Sequence, residues 1–289
     1  MTVAGEATAG QSTVAGEATA GEPNLADRPT FRGTIVALGG GGFSMSETGE
    51  SAIDDALLRM AQAAGVGDRR ADDPRPHVCF VPTASGDSSD YIERFEAAFA
   101  GRAHTHVLSL FGQSPWDYRA PDMLGDMDLV YVGGGSTANL LSLWRRHGVD
   151  EAMALAADGG TILAGISAGA NCWFAASSTD SFGPLAPLDD GLGFLPGSAC
   201  PHFHGEPGRE ESFIRWIEQG RLPSPGIAID DHAAVVFEDG RATSVLVEAP
   251  EAKAYSVDEH GGIRILDEHG QVAAVAEHER TEENFGTDE

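Results

Sequence analysis

Between residue 31 and Ile166 the chain repeats one pattern: a short apolar run, a glycine-rich or polar turn, then a segment with helical spacing. The run Thr34–Leu38 ends in four consecutive glycines, Gly39 to Gly42, and Ala52–Ala64 has the spacing of a helix. A second run covers residues 77–82, and residues 89–100 form a second helix opened by Ser88 and Ser89. Residues 107–111 read as a third strand. Leu129–Val132 is a fourth, running into Gly133-Gly134-Gly135-Ser136 and a helix over 137–146. Residues 161–166 form a fifth strand. Strands that are apolar throughout, rather than alternating with polar residues, are buried on both faces. When they alternate with amphipathic helices, the fold is α/β with a parallel sheet covered on both sides.

The last third changes character. A helix is expected over 210–219, followed by short runs at 227–229, 233–237, 243–248, Ala254–Val257 and 262–266. Glu238-Asp239-Gly240 and Glu259-His260-Gly261-Gly262 have the composition of hairpin turns. These runs are expected as antiparallel strands extending or flanking the main sheet of a single domain over 29–277. Residues 2–10 recur unchanged at 13–21. This duplicated tract of small residues cannot bury enough apolar surface to offset its ordering entropy. Residues 1–28 are therefore expected to be a disordered tail, and 278–289 a frayed acidic one.

Of 18 basic residues only Lys253 is a lysine, and the formal charge is −27. Such a surface repels nucleic acid and anionic membranes, so neither is expected as a partner. Acidic residues spread along the whole chain with almost no lysine are the composition of a salt-loving cytoplasm, where ions screen the self-repulsion. No apolar stretch of about 18 residues is available to span a membrane, and the N-terminus lacks the pattern of a signal peptide. A cytoplasmic location is expected. The three cysteines, Cys79, Cys172 and Cys200, are far apart in apolar contexts and read as buried free thiols.

Chemistry concentrates at Gly165-Ile166-Ser167-Ala168-Gly169, which follows the fifth strand. This is the G-x-S-x-G pattern of a nucleophile elbow, in which a serine sits on a tight strand-to-helix turn. The glycines let the backbone bend, and the following helix offers N–H groups to a developing oxyanion. A serine nucleophile needs a base, and His202 in Cys200-Pro201-His202-Phe203-His204 is the candidate. Pro201 restrains its backbone, and Phe203 can anchor the loop in the core. His202 and His204 would share one side of an extended segment, but no third ligand cluster accompanies them, so no metal is expected. The orienting acid is Asp231, Asp230 or Asp180. The order serine, histidine, acid differs from that of the lipases and esterases that most often carry this elbow. Gly133-Gly134-Gly135 lacks the lysine of a phosphate loop, and Gly39 to Gly42 fails as a dinucleotide fingerprint, so no cofactor is expected.

Together, Val132-Gly133-Gly134-Gly135-Ser136-Thr137, Gly165 to Asn171 and Pro201-His202-Phe203 resemble the serine peptidase family of dipeptidase E (aspartyl dipeptidase) and cyanophycinase. The resemblance covers about residues 31–240. It implies a flavodoxin-like, class I glutamine amidotransferase-like three-layer sandwich, with a mostly parallel sheet and antiparallel C-terminal strands. It also implies Ser167 as nucleophile, His202 as base, and an oxyanion hole from Gly134 or Gly135 with Ala168. Asp231 falls best on the family's acidic segment, although it is one methylene shorter than a glutamate; Asp230 and Asp180 stay as alternates. Arg209 is the nearest match to an arginine that receives an aspartyl carboxylate, and Asn171 is a further substrate-binding candidate. The implied activity is hydrolysis of short peptides, with N-terminal aspartate as one substrate. A cyanophycinase-like action on β-aspartyl-arginine peptides and a non-catalytic ligand-binding role are the alternatives. The expected partner is a small peptide, and a homodimer stays open.

Overall fold

A computed structural model describes residues 31–65, 73–112, 116 and 118–272; the two expected tails lie outside the described residues. Five parallel strands form one contiguous side of a seven-stranded sheet, out to one of its edges. They are β1 (Thr34–Leu38), β2 (His77–Val81), β3 (His104–Val107), β4 (Leu129–Val132) and β5 (Ile162–Ile166). Helices α1 (Gly42–Met45), α2 (Ala52–Ala64), α3 (Ser89–Phe99), α4 (Thr137–His147) and α5 (Val149–Asp158) connect them. The four-residue α6 (Ala168–Asn171) follows β5.

Strand period decides which residue meets which layer. Val36 and Leu38 join the core beneath α2 and α3, with Leu57, Phe95 and Phe99. Ile35 and Ala37 point the other way, to Leu140, Trp144 and Met153 of α4 and α5. Ser51 Oγ accepts the N–H of Asp54 at 3.1 Å and so caps α2, while Ser136 Oγ accepts that of Asn139 at 3.3 Å and caps α4.

The third strand differs from the expected span: it is His104–Val107, not 107–111. Asp87 explains the shift, because its Oδ2 accepts from Ser109 Oγ, Leu110 N and Phe111 N at 2.6, 2.7 and 2.8 Å. Those bonds draw the expected strand into a loop.

The C-terminal third also departs from expectation. Strands β6 (Phe174–Thr179), β7 (Ala186–Leu188), β8 (Leu195–Pro201), β9 (Gly226–Ile229), β10 (Ala233–Glu238), β11 (Arg241–Val247), β12 (Ala254–Val257) and β13 (Ile263–Ile265) follow, with α7 (Arg209–Glu218) between β8 and β9. Only β10 and β11 extend the main sheet antiparallel. The others form a second, six-stranded sheet in which β6, β8 and β9 run parallel. One face of it, through Ala199, Ile227, Ile229 and Ala254, shares the core under α4 and α5. The other face takes Phe213, Trp216 and Ile217 of α7. Among the described residues no helix is long and apolar enough to cross a membrane.

Candidate active site

Ser167 lies between β5 and α6, half-buried in a segment whose neighbours are buried. Its backbone has φ 56° and ψ −113°, a conformation costly for a side chain with a Cβ, of order 1–3 kcal/mol. Two close approaches impose it. A Cβ at Gly165 would overlap the carbonyl of Gly169, and one at Gly169 would overlap that of Val132. The elbow's glycines are therefore spacing devices. Because α6 is only four residues long, what it offers at this point is individual N–H groups, not a helix dipole.

His202 follows the carboxyl end of β8, and Asp231 follows that of β9. These are neighbouring parallel strands, with Pro201 paired to Ile229. His202 Nδ1 lies 2.5 Å from Asp231 Oδ1. A carboxylate there accepts, so Nδ1 carries the hydrogen and Nε2 is left as the basic nitrogen. The hydrogen bond from His202 holds the Asp231 carboxyl below its ordinary value. Asp231 is enclosed by two residues without side chains: a Cβ at Gly40 would overlap Oδ1, and one at Gly205 would overlap Oδ2. His202 has φ 54°, and buried Phe203 anchors the turn beyond it, its N–H bonded to Ile229 O at 3.1 Å.

The C-terminus of β1 joins the elbow to this pair. Leu38 O accepts the N–H of Ser167 at 3.1 Å, and two residues on Gly40 bridges to Asp231. Behind Gly40, Glu248 braces the loop. Its carboxylate accepts from Gly42 N at 3.0 Å, from Ser51 Oγ at 2.5 Å and contacts His232 Nδ1 at 3.0 Å. Burial raises the Glu248 carboxyl, and these bonds outweigh it, leaving a net lowering.

The remaining expected residues divide. Gly134 packs on the elbow: a Cβ there would sit 3.3 Å from Ser167 Cβ and 3.8 Å from Oγ. Its N–H, however, donates to Tyr91 Oη at 3.4 Å, which leaves the N–H groups of Gly135 and Ala168 as oxyanion candidates. Asn171 is buried and spends its amide on Ser178 O at 3.1 Å and Thr137 Oγ1 at 3.4 Å, a brace between α6, α4 and β6. Arg209 is not an open carboxylate receptor. Its side chain is 4% exposed, its Nε donates to Glu206 Oε2 at 2.5 Å, and Nη2 lies 3.8 Å from Asp180 Oδ2. Only Nη1 is buried with no hydrogen-bond partner.

Asp180 pairs with Arg209, and Asp230 with His204 Nδ1 at 2.7 Å, so neither alternate acid contacts His202 Nδ1. His202 and His204 do not share an extended face, because β8 ends at Pro201 and each ring turns to its own carboxylate. Among the described residues no group of three or more metal-ligating side chains is assembled. Burial pushes the thiols of Cys79 and Cys200 up to about 12 and that of Cys172 well above its ordinary value, so none is a thiolate nucleophile.

A model of peptidase family S51 matches residues 35–245. The chain belongs to peptidase family S51. It is 42% identical over 225 residues to the uncharacterized peptidase YgaJ of Bacillus subtilis, covering 77% of this chain and 91% of that protein. It is 32% identical over 161 residues to peptidase E of Streptomyces coelicolor, covering 52% of this chain and 64% of the other. Among solved structures, a peptidase from an acI-B1 actinobacterium superposes with a TM-score of 0.57 at 18% identity, over 86% of this chain and 100% of its own. A putative peptidase E from Listeria monocytogenes gives 0.51 at 19% identity, over 75% and 100%. These neighbours share the flavodoxin-like α/β fold that the motifs imply.

Three supports of this site carry no signature in the sequence. Gly40 belongs to a run that reads as a tight turn, Gly205 is one glycine in a loop, and Tyr91 is an ordinary aromatic position of a helix. Each acts through a contact with a residue distant in the sequence, Asp231 for the two glycines and Gly134 for Tyr91.

Proposed function

We propose that this peptidase is a cofactor-free serine exopeptidase acting on short peptides, with Ser167, His202 and Asp231 as its triad. The observation that carries the reading is the 2.5 Å pair of His202 and Asp231 at the ends of adjacent parallel strands, joined through the end of β1 to the strained Ser167 elbow. In this reading His202 Nε2 takes the proton of Ser167 Oγ as the oxygen attacks the scissile carbonyl carbon. The N–H groups of Gly135 and Ala168 stabilise the oxyanion, a contribution of about 10²–10³-fold per donor. The imidazolium then protonates the departing amine as the C–N bond breaks, leaving an ester on Ser167. Water, deprotonated by His202, attacks that ester, and its cleavage releases the acid and restores the serine hydroxyl.

Peptides with an N-terminal aspartate are one substrate class; Arg209 would receive their carboxylate only by giving up its pairing with Glu206. A specific observation favours a second class. Asp180 and Glu206 beside Arg209 are about half exposed, as is Glu210 on the same rim, and these carboxylates attract a cationic substrate such as a β-aspartyl-arginine peptide. The test is a dipeptide library assayed in high salt with the full chain and with Ser167→Ala. The expected result is abolished turnover in the variant, and profiling of the full chain separates the two classes. Undiminished cleavage by Ser167→Ala would sink the assignment.

A further inference from the structure

One helix holds both loops that wall this site. Tyr91 and Arg94 lie a turn apart on α3. Arg94 Nη2 donates to the carbonyls of Phe43 at 3.2 Å and Ser44 at 2.7 Å, fixing the glycine loop after β1. Tyr91 Oη contacts Ser44 Oγ hydroxyl to hydroxyl and accepts the N–H of Gly134 in the turn after β4. The phenol has little freedom. Its ring stands 5.6 Å from that of Phe43 and 5.0 Å from that of Phe80, and a Cβ at Gly133 would come within 2.9 Å of its Cε1. The contacts thus run Ser44 to Tyr91 to Gly134 to Ser167.

We propose that Tyr91 is a positioning residue, its hydroxyl fixing the Gly134 peptide so that the glycine turn presents its next N–H to the oxyanion formed at Ser167. The inference rests on the serine peptidase reading above. Three consecutive glycines are the most freely rotating backbone a chain can build. Oxyanion stabilisation requires donors already aimed before charge develops. Backbone bonds pin the ends of the turn, Gly133 N to Val81 O at 3.1 Å and Ser136 N to Ala84 O at 2.8 Å, and leave the Gly134 peptide between them to be held by a side chain. Tyr91 supplies one acceptor to Gly134 and shares one hydrogen with Ser44. Burial raises its phenol above the ordinary value, so the hydroxyl keeps its hydrogen through neutral pH.

The test is Tyr91→Phe in the full chain, which removes the hydroxyl and keeps the ring. As an indirect hold, it is expected to lower kcat by about ten-fold, less than loss of an oxyanion donor itself. KM and the pH midpoint of kcat should stay unchanged. Affinity for a peptide aldehyde, whose adduct with Ser167 bears the oxyanion, should fall by the same factor as kcat. A merely structural role would not link those two numbers. Ser44→Ala, which removes the other hydroxyl, should give a smaller fall of the same kind, and it carries the test if Tyr91→Phe does not fold. Unchanged kcat and aldehyde affinity, in an enzyme that Ser167→Ala still inactivates, would overturn the role of Tyr91 alone. Activity surviving in Ser167→Ala would overturn the reading beneath it.

Discussion

Two histidine–carboxylate pairs lie side by side here, and they differ in everything but their chemistry. His202 meets Asp231 at 2.5 Å, and His204 meets Asp230 at 2.7 Å. Asp231 is lodged between Gly40 and Gly205, beside the strand end that receives Ser167. Asp230 spends its second oxygen on Lys253 N at 3.1 Å and Tyr255 Oη at 3.2 Å, tying β9 to β12. His204 is 44% exposed, with Glu210 3.7 Å from its Nε2, whereas His202 is 15% exposed. A histidine–carboxylate pair is therefore not a site in itself. Its role is set by what the free imidazole nitrogen faces and by whether the carboxylate has any other task.

The sharpest way to break this contrast is to remove each histidine in turn. Steady-state kinetics should show kcat/KM falling by roughly 10⁵–10⁶-fold in His202→Ala. In His204→Ala the change should stay within about three-fold, the scale of a solvent-facing substitution. Comparable losses in both would erase the distinction.

The acids come next. Asp231→Asn should cost about 10⁴-fold in kcat by offering His202 the wrong tautomer. Asp230→Asn should leave kcat nearly intact and lower unfolding free energy by about 1 kcal/mol in urea titration, because an amide nitrogen replaces one of the two oxygens that accept from His204, Lys253 N and Tyr255 Oη. The pH dependence follows from the direction of the Asp231 shift. A carboxyl held low by His202 contributes stability above the ordinary carboxylate range, and that contribution is lost as pH falls through the lowered value. Removing His202 should therefore move the acid-unfolding midpoint to higher pH.

The smallest expected effect concerns the layer behind the glycine loop. Asp54 is buried, accepts the N–H of Phe43 at 2.6 Å, and is raised by that burial to about 7. The sign is opposite to that of Asp231: its contribution is complete below the ordinary value and lost as pH rises through about 7. Asp54→Asn should match the parent's melting temperature only near about pH 4, gain on it as pH rises toward about 7, and stay higher by roughly 5 °C at pH 9 in thermal scans. A difference independent of pH would show that the carboxyl does not titrate there.

The parallel half of the fold was legible because its strands are short and apolar throughout, as in β1 and β4. The second sheet was not. Strand β6 reads Phe-Ala-Ala-Ser-Ser-Thr and β8 reads Leu-Pro-Gly-Ser-Ala-Cys-Pro, so both have loop composition. Ser177, Ser178, Thr179 and Ser198 are nonetheless buried, through long-range packing that no local pattern announces. The candidate site divides in the same way. Ser167, His202 and Asp231 stand out as residue types in an order, whereas the cradle at Gly40 and Gly205 exists only once distant loops meet. Arg209 was legible as an arginine after the histidine loop. That Glu206 and Asp180 would already engage it depends on where β6 ends and α7 begins.

In the proposed triad Ser167 is the nucleophile and His202, not His204, activates it. Labelling with a fluorophosphonate, followed by mass mapping of the modified peptide, tests this most directly. Modification of Ser167 alone is predicted in the parent and in His204→Ala, with labelling lost in His202→Ala. An unlabelled Ser167 in folded parent protein, or equal labelling of His202→Ala, would contradict it.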